Sequence, residues 1–424
     1  MYFKYLLPLL ALTCMCFLSG CGTDNSDTHV RHAKKDTTST VRKKYKYAVY
    51  IENSGSLNGY LNVAGDSSFK SNVYAFITAI STASEKEALS LYDINTRIIP
   101  AAINADAAMV SDYLRHLDAA TFRKRSEASG GNQAQSDLGA VFKTVLDSTN
   151  AREVSILISD GIFSPGKKGE AIDYLSQQKN SITLFLNEQR KKQSFATLVL
   201  QFYSEFNGRY YYQDNSSRDG KFKDRPYYII CFGDEEALRL IQDRVTTQAA
   251  FAGFRNFLFL TDTRSYEVSP AIRSFTQYYN YDHSRPLMVT DIRKGGRDHK
   301  FRIKFNVDFS KLPVSETYLQ EPGNYVLNPG YEIESVNACQ QPGYTHEILL
   351  VAAAPKTAAL NISLKKQLPG WIAAGNLDTD QKLPADSLSG KTFGIRYLLE
   401  GIYDAYAVAQ GSSGYCSISI SVKE

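Results

Sequence analysis

Between residues 44 and 263 the apolar positions switch repeatedly between strand and helix spacing. A short β-type run at 46–51 precedes Phe69, Val73, Phe76, Ile77 and Ile80, whose spacing predicts an amphipathic helix. Residues 88–99 predict one or two strands around Asp93-Ile94-Asn95. Val110, Tyr113, Leu114 and Leu117 mark a second helix, and Leu138, Val141, Phe142, Val145 and Leu146 a third. The run EVSILIS at 153–159 is nearly continuous in apolar character, as expected of a strand covered on both faces. A helical stretch follows over 169–191, then strands near 195–203 and 227–232. Asp234 is placed to cap a helix through Leu238, Ile241 and Val245, before a last strand at 257–260. Residues 207–225, rich in Tyr, Gly, Asp and Ser, read as an inserted hairpin or loop. This alternation predicts an α/β fold built on a doubly wound, mostly parallel sheet.

After residue 263 the texture changes. Strand-like runs at 301–309, 331–336, 347–353, 359–365 and 417–422 are separated by Pro, Gly and Asn turns, and helical spacing recurs only at 392–406. The expectation is a β-rich, sandwich-like domain over 264–424.

The first twenty residues look like an address. Lys4 supplies a positive start, and 6–18 is an apolar stretch too short to span a bilayer comfortably. It ends in Leu18-Ser19-Gly20-Cys21, which resembles the lipobox of bacterial lipoprotein signal peptides. The resemblance implies cleavage before Cys21, lipidation of its thiol and acylation of the new N-terminus. That gives a membrane attachment through several acyl chains. Gly22 after the cysteine, by resemblance to enteric lipoproteins, implies an outer-membrane destination in the cell envelope. The polar residues that follow read as a flexible tether. The expected organisation is thus signal peptide 1–20, tether 21–43, α/β domain 44–263 and β-rich domain 264–424.

Composition narrows the function classes. Against 44 Asp+Glu stand 48 Lys+Arg, a formal charge of +4, which gives no case for a nucleic-acid partner. No second long apolar run exists, which excludes a polytopic membrane protein. Cys14 and Cys16 leave with the signal peptide. Cys231 sits in an apolar run and reads as a buried thiol, while export makes Cys339–Cys416 the candidate disulfide. The six histidines are scattered and no CxxC occurs, so a zinc site is not expected. Neither a GxxxxGK[ST] phosphate loop nor a GxSxG nucleophile elbow is present. The basic run Arg190-Lys191-Lys192 closes a predicted helix, where cations complement the macrodipole.

Three segments carry candidate chemistry: Glu52-Asn53-Ser54-Gly55-Ser56 after the first strand, Ser136-Asp137-Leu138-Gly139 at a helix start behind Gly130-Gly131, and Asp160-Gly161 after EVSILIS. In a doubly wound sheet these loops converge at the carboxyl edge. Glu52, Ser54, Ser56, Ser136 and Asp160 then offer only oxygen, the donor set that Mg²⁺ or Mn²⁺ prefers. Each segment also has a local reading: turn chemistry at 53–55, a helix N-cap at Ser136, a strand-ending turn at Asp160.

In order and spacing these segments resemble the metal-ion-dependent adhesion site of von Willebrand factor A domains. The family pattern is D-x-S-x-S after the first strand, a Thr before a middle helix and an Asp after a later strand. Ser54 and Ser56 match the serines, Ser136 the threonine and Asp160 the later aspartate. Glu52 stands where the family has Asp, and its extra methylene carries the carboxylate about 1.5 Å further. The resemblance covers roughly 44–263. It implies a metal that keeps one position open for a carboxylate of a protein partner. The expectation is therefore a lipid-anchored binding protein, not an enzyme. The alternatives are a structural envelope component with an inactive site, or a metal-dependent phosphoesterase.

Overall fold

Seven strands form the first sheet: β1 (Tyr45–Glu52), β2 (Lys86–Ile94), β3 (Ile98–Ala102), β4 (Glu153–Ser159), β5 (Ala196–Tyr211), β6 (Ser217–Gly233) and β7 (Phe254–Leu260). They lie in the order β3-β2-β1-β4-β6-β5-β7. The computed structural model describes residues 43–423 apart from 136, 151, 165–170, 264, 273–277, 283, 355–358 and 411–413. The expected signal peptide, Cys21 and the expected tether up to residue 42 lie outside the described residues, as does Ser136.

The expectation of a mostly parallel sheet needs correction. β1 runs parallel to both β2 and β4, while every other pairing in the sheet is antiparallel. The cause is the segment read as an insertion. Instead of a separate hairpin, 204–225 prolongs β5 and β6 themselves, which pair from Ala196–Gly233 out to Tyr211–Ser217. A tight turn closes them, with Tyr212 N on Ser216 O at 2.8 Å and Asn215 at φ +62°. A hairpin reverses direction, so β6 enters beside β4 antiparallel to it.

Helices cover both faces. On one lie α1 (Asn58–Leu61), α2 (Phe69–Ser81), α3 (Ala107–Arg115), α4 (Ala119–Ala128) and later α7 (Glu235–Thr247); on the other lie α5 (Leu138–Asp147) and α6 (Ala171–Lys192). Aspartates start several of them: Asp106, Asp118, Asp137 and Asp234 each accept a backbone amide of the first turn. Each such cap is worth about 1 kcal/mol. The cap of α5 is Asp137, one residue after the serine expected there. The sequence reading also missed α4. It buries only Phe122 and Ser126, too few positions to show a period.

The two C-terminal sheets share one core. One contains Lys294–Gly295, Lys300–Asp308, His346–Ala352 and Tyr331–Ala338; the other contains Tyr325–Leu327, Ala359–Leu364, Cys416–Val422, Arg285–Thr290 and Asn280–Asp282. Ile303, Phe305, Ile348 and Leu350 from the first meet Leu360, Ile362, Ile418 and Ile420 from the second.

Not all of the chain after 263 belongs there. The helix Ile395–Gln410 packs along α6 and joins the core of the first sheet through Leu398, Leu399 and Ile402. The approach is close, for a Cβ on Gly401 would sit 2.8 Å from Lys179 O. Lys179 bridges Glu400 and Asp404 at 3.0 Å each. Residues 43–424 accordingly form one compact unit, without a clean break at 263.

Cys231, Cys339 and Cys416 are all free thiols, which corrects the expected Cys339–Cys416 disulfide. Cys339 follows the strand Tyr331–Ala338 in one sheet, and Cys416 opens a strand of the other with its side chain in the core. Among the described residues no helix is long and apolar enough to cross a membrane.

Candidate functional site

The parallel trio β2-β1-β4 brings the ends of β1 and β4 to one edge, and the register Ile51–Ile158 sets Glu52 beside Ser159. Ser159 Oγ donates to Glu52 Oε2 and itself accepts the Gly161 amide at 2.9 Å. Gly161 has φ +69°, and any side chain there would strike the Tyr228 ring at 2.9 Å. The turn after β4 therefore requires glycine. It leaves Asp160 only 1% exposed at the base of the loop.

The loop after β1 is pinned from the side. Asn53 donates from Nδ2 to Phe122 O at 2.9 Å and accepts from Gln133 Nε2, while Gly55 N donates to Gln133 O at 3.1 Å. Behind it, Asp93 is fully buried and takes Arg125 Nε at 2.5 Å, Arg125 Nη2 at 3.0 Å and Tyr113 Oη at 3.0 Å. These contacts hold 53–56 so that the Ser54 and Ser56 hydroxyls sit 3.0 Å apart.

Asp160 is the electrostatic centre. Its Oδ1 accepts the Ile162 amide at 3.3 Å, but its buried Oδ2 has no hydrogen-bond partner among the described residues. Burial pushes its carboxyl above the usual carboxylate range, and the Ser56 hydroxyl, the Arg225 guanidinium and the Ile162 amide act against that. An orphaned carboxylate oxygen of this kind costs a few kcal/mol, on the order of 1–3, unless something neutralises it.

Above these groups opens a cleft of about 430 Å³, lined by Glu52, Ser54 and Ser56 below and by Arg123, Tyr211 and Asn215 at the rim. The long hairpin builds one wall. Tyr211 lies against the loop, its hydroxyl 3.3 Å from where a Cβ on Gly55 would be.

Of the five expected ligands, the structure brings Glu52, Ser54, Ser56 and Asp160 to one edge, and Ser136 lies outside the described residues. Among the described residues no three His, Cys, Asp or Glu side chains converge as a metal cluster. The donors here are two carboxylates and two hydroxyls. That set, with the unpartnered Asp160 Oδ2, fits a hard cation such as Mg²⁺ and not a zinc-type ion.

Sequence reasoning missed Gln133 and Arg225, and it took Asn53 only as a turn residue. Arg225 had no visible signal, since it closes the charged run Lys221-Phe222-Lys223-Asp224-Arg225 ahead of the apolar run 226–232. The basic run at 190–192 does end α6, where Arg190 reaches Ala405 O and Asp262 and covers the Tyr406 ring at 4.0 Å. Comparison of the chain with family models, with curated proteins and with solved structures finds no match.

Proposed function

We propose that this chain is a lipid-anchored cell-envelope protein that binds a partner carboxylate through a divalent cation held at the carboxyl edge of the first sheet. The observation that carries the reading is the Ser54–Ser56 hydroxyl pair at the floor of an open cleft, with Asp160 buried against Ser56 and its Oδ2 without a partner among the described residues. Ser54, Ser56 and Asp160 would hold Mg²⁺ or Mn²⁺, with Ser136 as a further oxygen and Glu52 balancing charge through its bond to Ser159. When bound, such an ion offers an open position to an acidic side chain or a C-terminal carboxylate. The kinship with von Willebrand factor A domains is supported by the β3-β2-β1-β4 half of the sheet and by the order of the three loops. It is not supported by the antiparallel half.

The protein's own residues do the rest. Asn53 and Gln133 keep the loop in place, and Arg123 puts a positive charge at the rim. The anchor at Cys21 stands on the lipobox alone, and the outer-membrane location on Gly22 after it. Among the described residues that line the cleft there is no histidine base, which favours binding over hydrolysis.

Calorimetric titration of Mg²⁺ and Mn²⁺ into the purified chain tests the reading. Saturable binding that disappears in Asp160→Ala is expected; equal heats from both proteins would remove it.

A further inference from the structure

Arg225 is only 1% exposed and is among the largest fully buried side chains of the protein. It lies on β6, which pairs with β4 in the register Ser159–Tyr228. Followed past the end of β4, that register carries Arg225 alongside the 160–162 turn. Tyr60, between the same elements, donates to Pro226 O at 2.5 Å.

Its guanidinium is only partly satisfied. Nη1 donates to Leu388 O at 3.1 Å and Lys391 O at 2.6 Å, and the group stands 4.7 Å from the Tyr210 ring centre. Nε and Nη2 have no hydrogen-bond partner among the described residues. An arginine stays charged at any accessible pH, so a positive charge is sealed inside the protein here. Two buried carboxylates feel it. One is Asp160; the other is Asp380, fully buried, which takes Tyr210 Oη at 2.6 Å and Gln213 N at 2.9 Å. One cation thus lies near two buried carboxyl groups, and neither is hydrogen-bonded to it directly.

We infer that Arg225 is a resident countercharge for Asp160, which stabilises the empty site and against whose field a divalent cation must bind. The inference rests on the metal reading of the site. In the metal-free protein Arg225 offsets the orphaned carboxylate, so the loop after β4 keeps its fold without an ion. An arriving dication meets a like charge in a poorly screened interior, where Coulomb interactions are several times stronger than in water. Arg225 therefore lowers affinity for the ion while leaving its ligands in place. Asp380 tunes this by drawing off part of the positive field.

Opposite signs in two variants separate this role from mere structural support. Arg225→Met removes the competing charge and is expected to tighten Mn²⁺ binding at least tenfold by calorimetry on the full chain. Asp380→Asn leaves the Arg225 charge less compensated and should weaken binding about threefold. Arg225→Lys keeps the charge and should stay within about threefold of the wild type. Melting in excess chelator checks the fold, and Arg225→Met should melt lower there because the empty site loses its countercharge.

Weaker or unchanged Mn²⁺ affinity in a cooperatively melting Arg225→Met overturns the inference. If that variant does not fold, unchanged or tighter binding by Asp380→Asn overturns it instead. Wild-type binding with these wrong signs leaves the metal reading standing. Absence of Mn²⁺ binding in the wild type and in Arg225→Met alike removes both.

Discussion

At the carboxyl edge of the first sheet Glu52, Asn53, Ser54, Ser159 and Asp160 are all buried, and an unpartnered carboxylate oxygen lies among them. In the core between the two C-terminal sheets the buried side chains are apolar apart from Asn306, Asn324 and His346. There His346 is served by Thr345 Oγ1 at 2.9 Å and Glu316 Oε1 at 3.1 Å and Asn306 Nδ2 by Gln341, and a single neutral amide oxygen, Asn306 Oδ1, lacks a partner among the described residues. Buried polarity without partners costs stability, so a fold keeps it where it serves another purpose. In the proposed reading the first region carries a desolvation cost that a ligand would relieve. The second is built to hold.

The sharpest way to break this comparison is to cut into the second region. Leu350 is fully buried in the shared core, and Leu350→Ala should cost about 3–4 kcal/mol in denaturant unfolding. A loss below about 1 kcal/mol would mean that this core is loosely packed and the contrast is false.

At the cleft the sign reverses. Burial raises the Asp160 pKa in the folded protein, so the native state holds a proton more tightly than the unfolded chain. Metal-free stability from this group is present below the ordinary aspartate value and is lost as pH rises through the higher folded value. Asp160→Asn should therefore stabilise the metal-free protein at pH 7 and flatten that pH dependence. Destabilisation by this substitution would show that the carboxylate is already satisfied.

Lys366 gives a subtler test. It is half-buried near Tyr415, donates to Thr263 O at 2.6 Å, and burial pushes its pKa down to about 8. A lowered base pKa means that the folded state releases its proton first. Stability should rise as pH goes from about 8 towards the ordinary lysine value near 10.4. Lys366→Met should abolish that rise in urea titrations at pH 7.5 and 10. A rise of the same size in the variant would assign the effect to other groups.

The smallest effect is expected at Arg302, whose guanidinium bonds Asp298 at 2.8 and 3.0 Å and Glu334 at 3.0 and 3.1 Å on the surface. The arginine holds Asp298 down at about 2. The benefit is present above the ordinary aspartate value and disappears as pH falls through about 2. In Arg302→Ala the Asp298 carboxyl should titrate nearer the ordinary aspartate value by NMR, with little change in the melting midpoint.

Legibility of the fold followed burial. EVSILIS at 153–159 was readable because both faces of β4 are covered, and the period of α5 was readable because it buries one clear stripe. The outer hairpin was readable only as an inserted hairpin or loop, not as the continuation of β5 and β6. From Glu205 to Asp224 its exposed positions carry Glu, Arg, Asp and Lys, and only Phe206, Tyr210, Gln213 and Phe222 turn fully inward. The direction of β6 could not be read either, because pairing is decided by how a connection closes and not by which residues are apolar. The helix at 395–410 was visible as a helix, but its destination on α6 depends on Gly401 meeting Lys179 and Ile182, a long-range fit. The loops after β1 and β4 were legible because their chemistry is local. Arg225 and Asp380 were not, since 155 residues of chain separate groups that share one buried charge network.

The central claim is tested most directly by a crystal soaked in Mn²⁺ and measured for the anomalous signal of manganese. The account predicts one strong peak between Ser54, Ser56 and Asp160, with Asp160 Oδ2 at ligand distance. An empty floor with the two serine hydroxyls still paired, or a peak elsewhere on the surface, would contradict it.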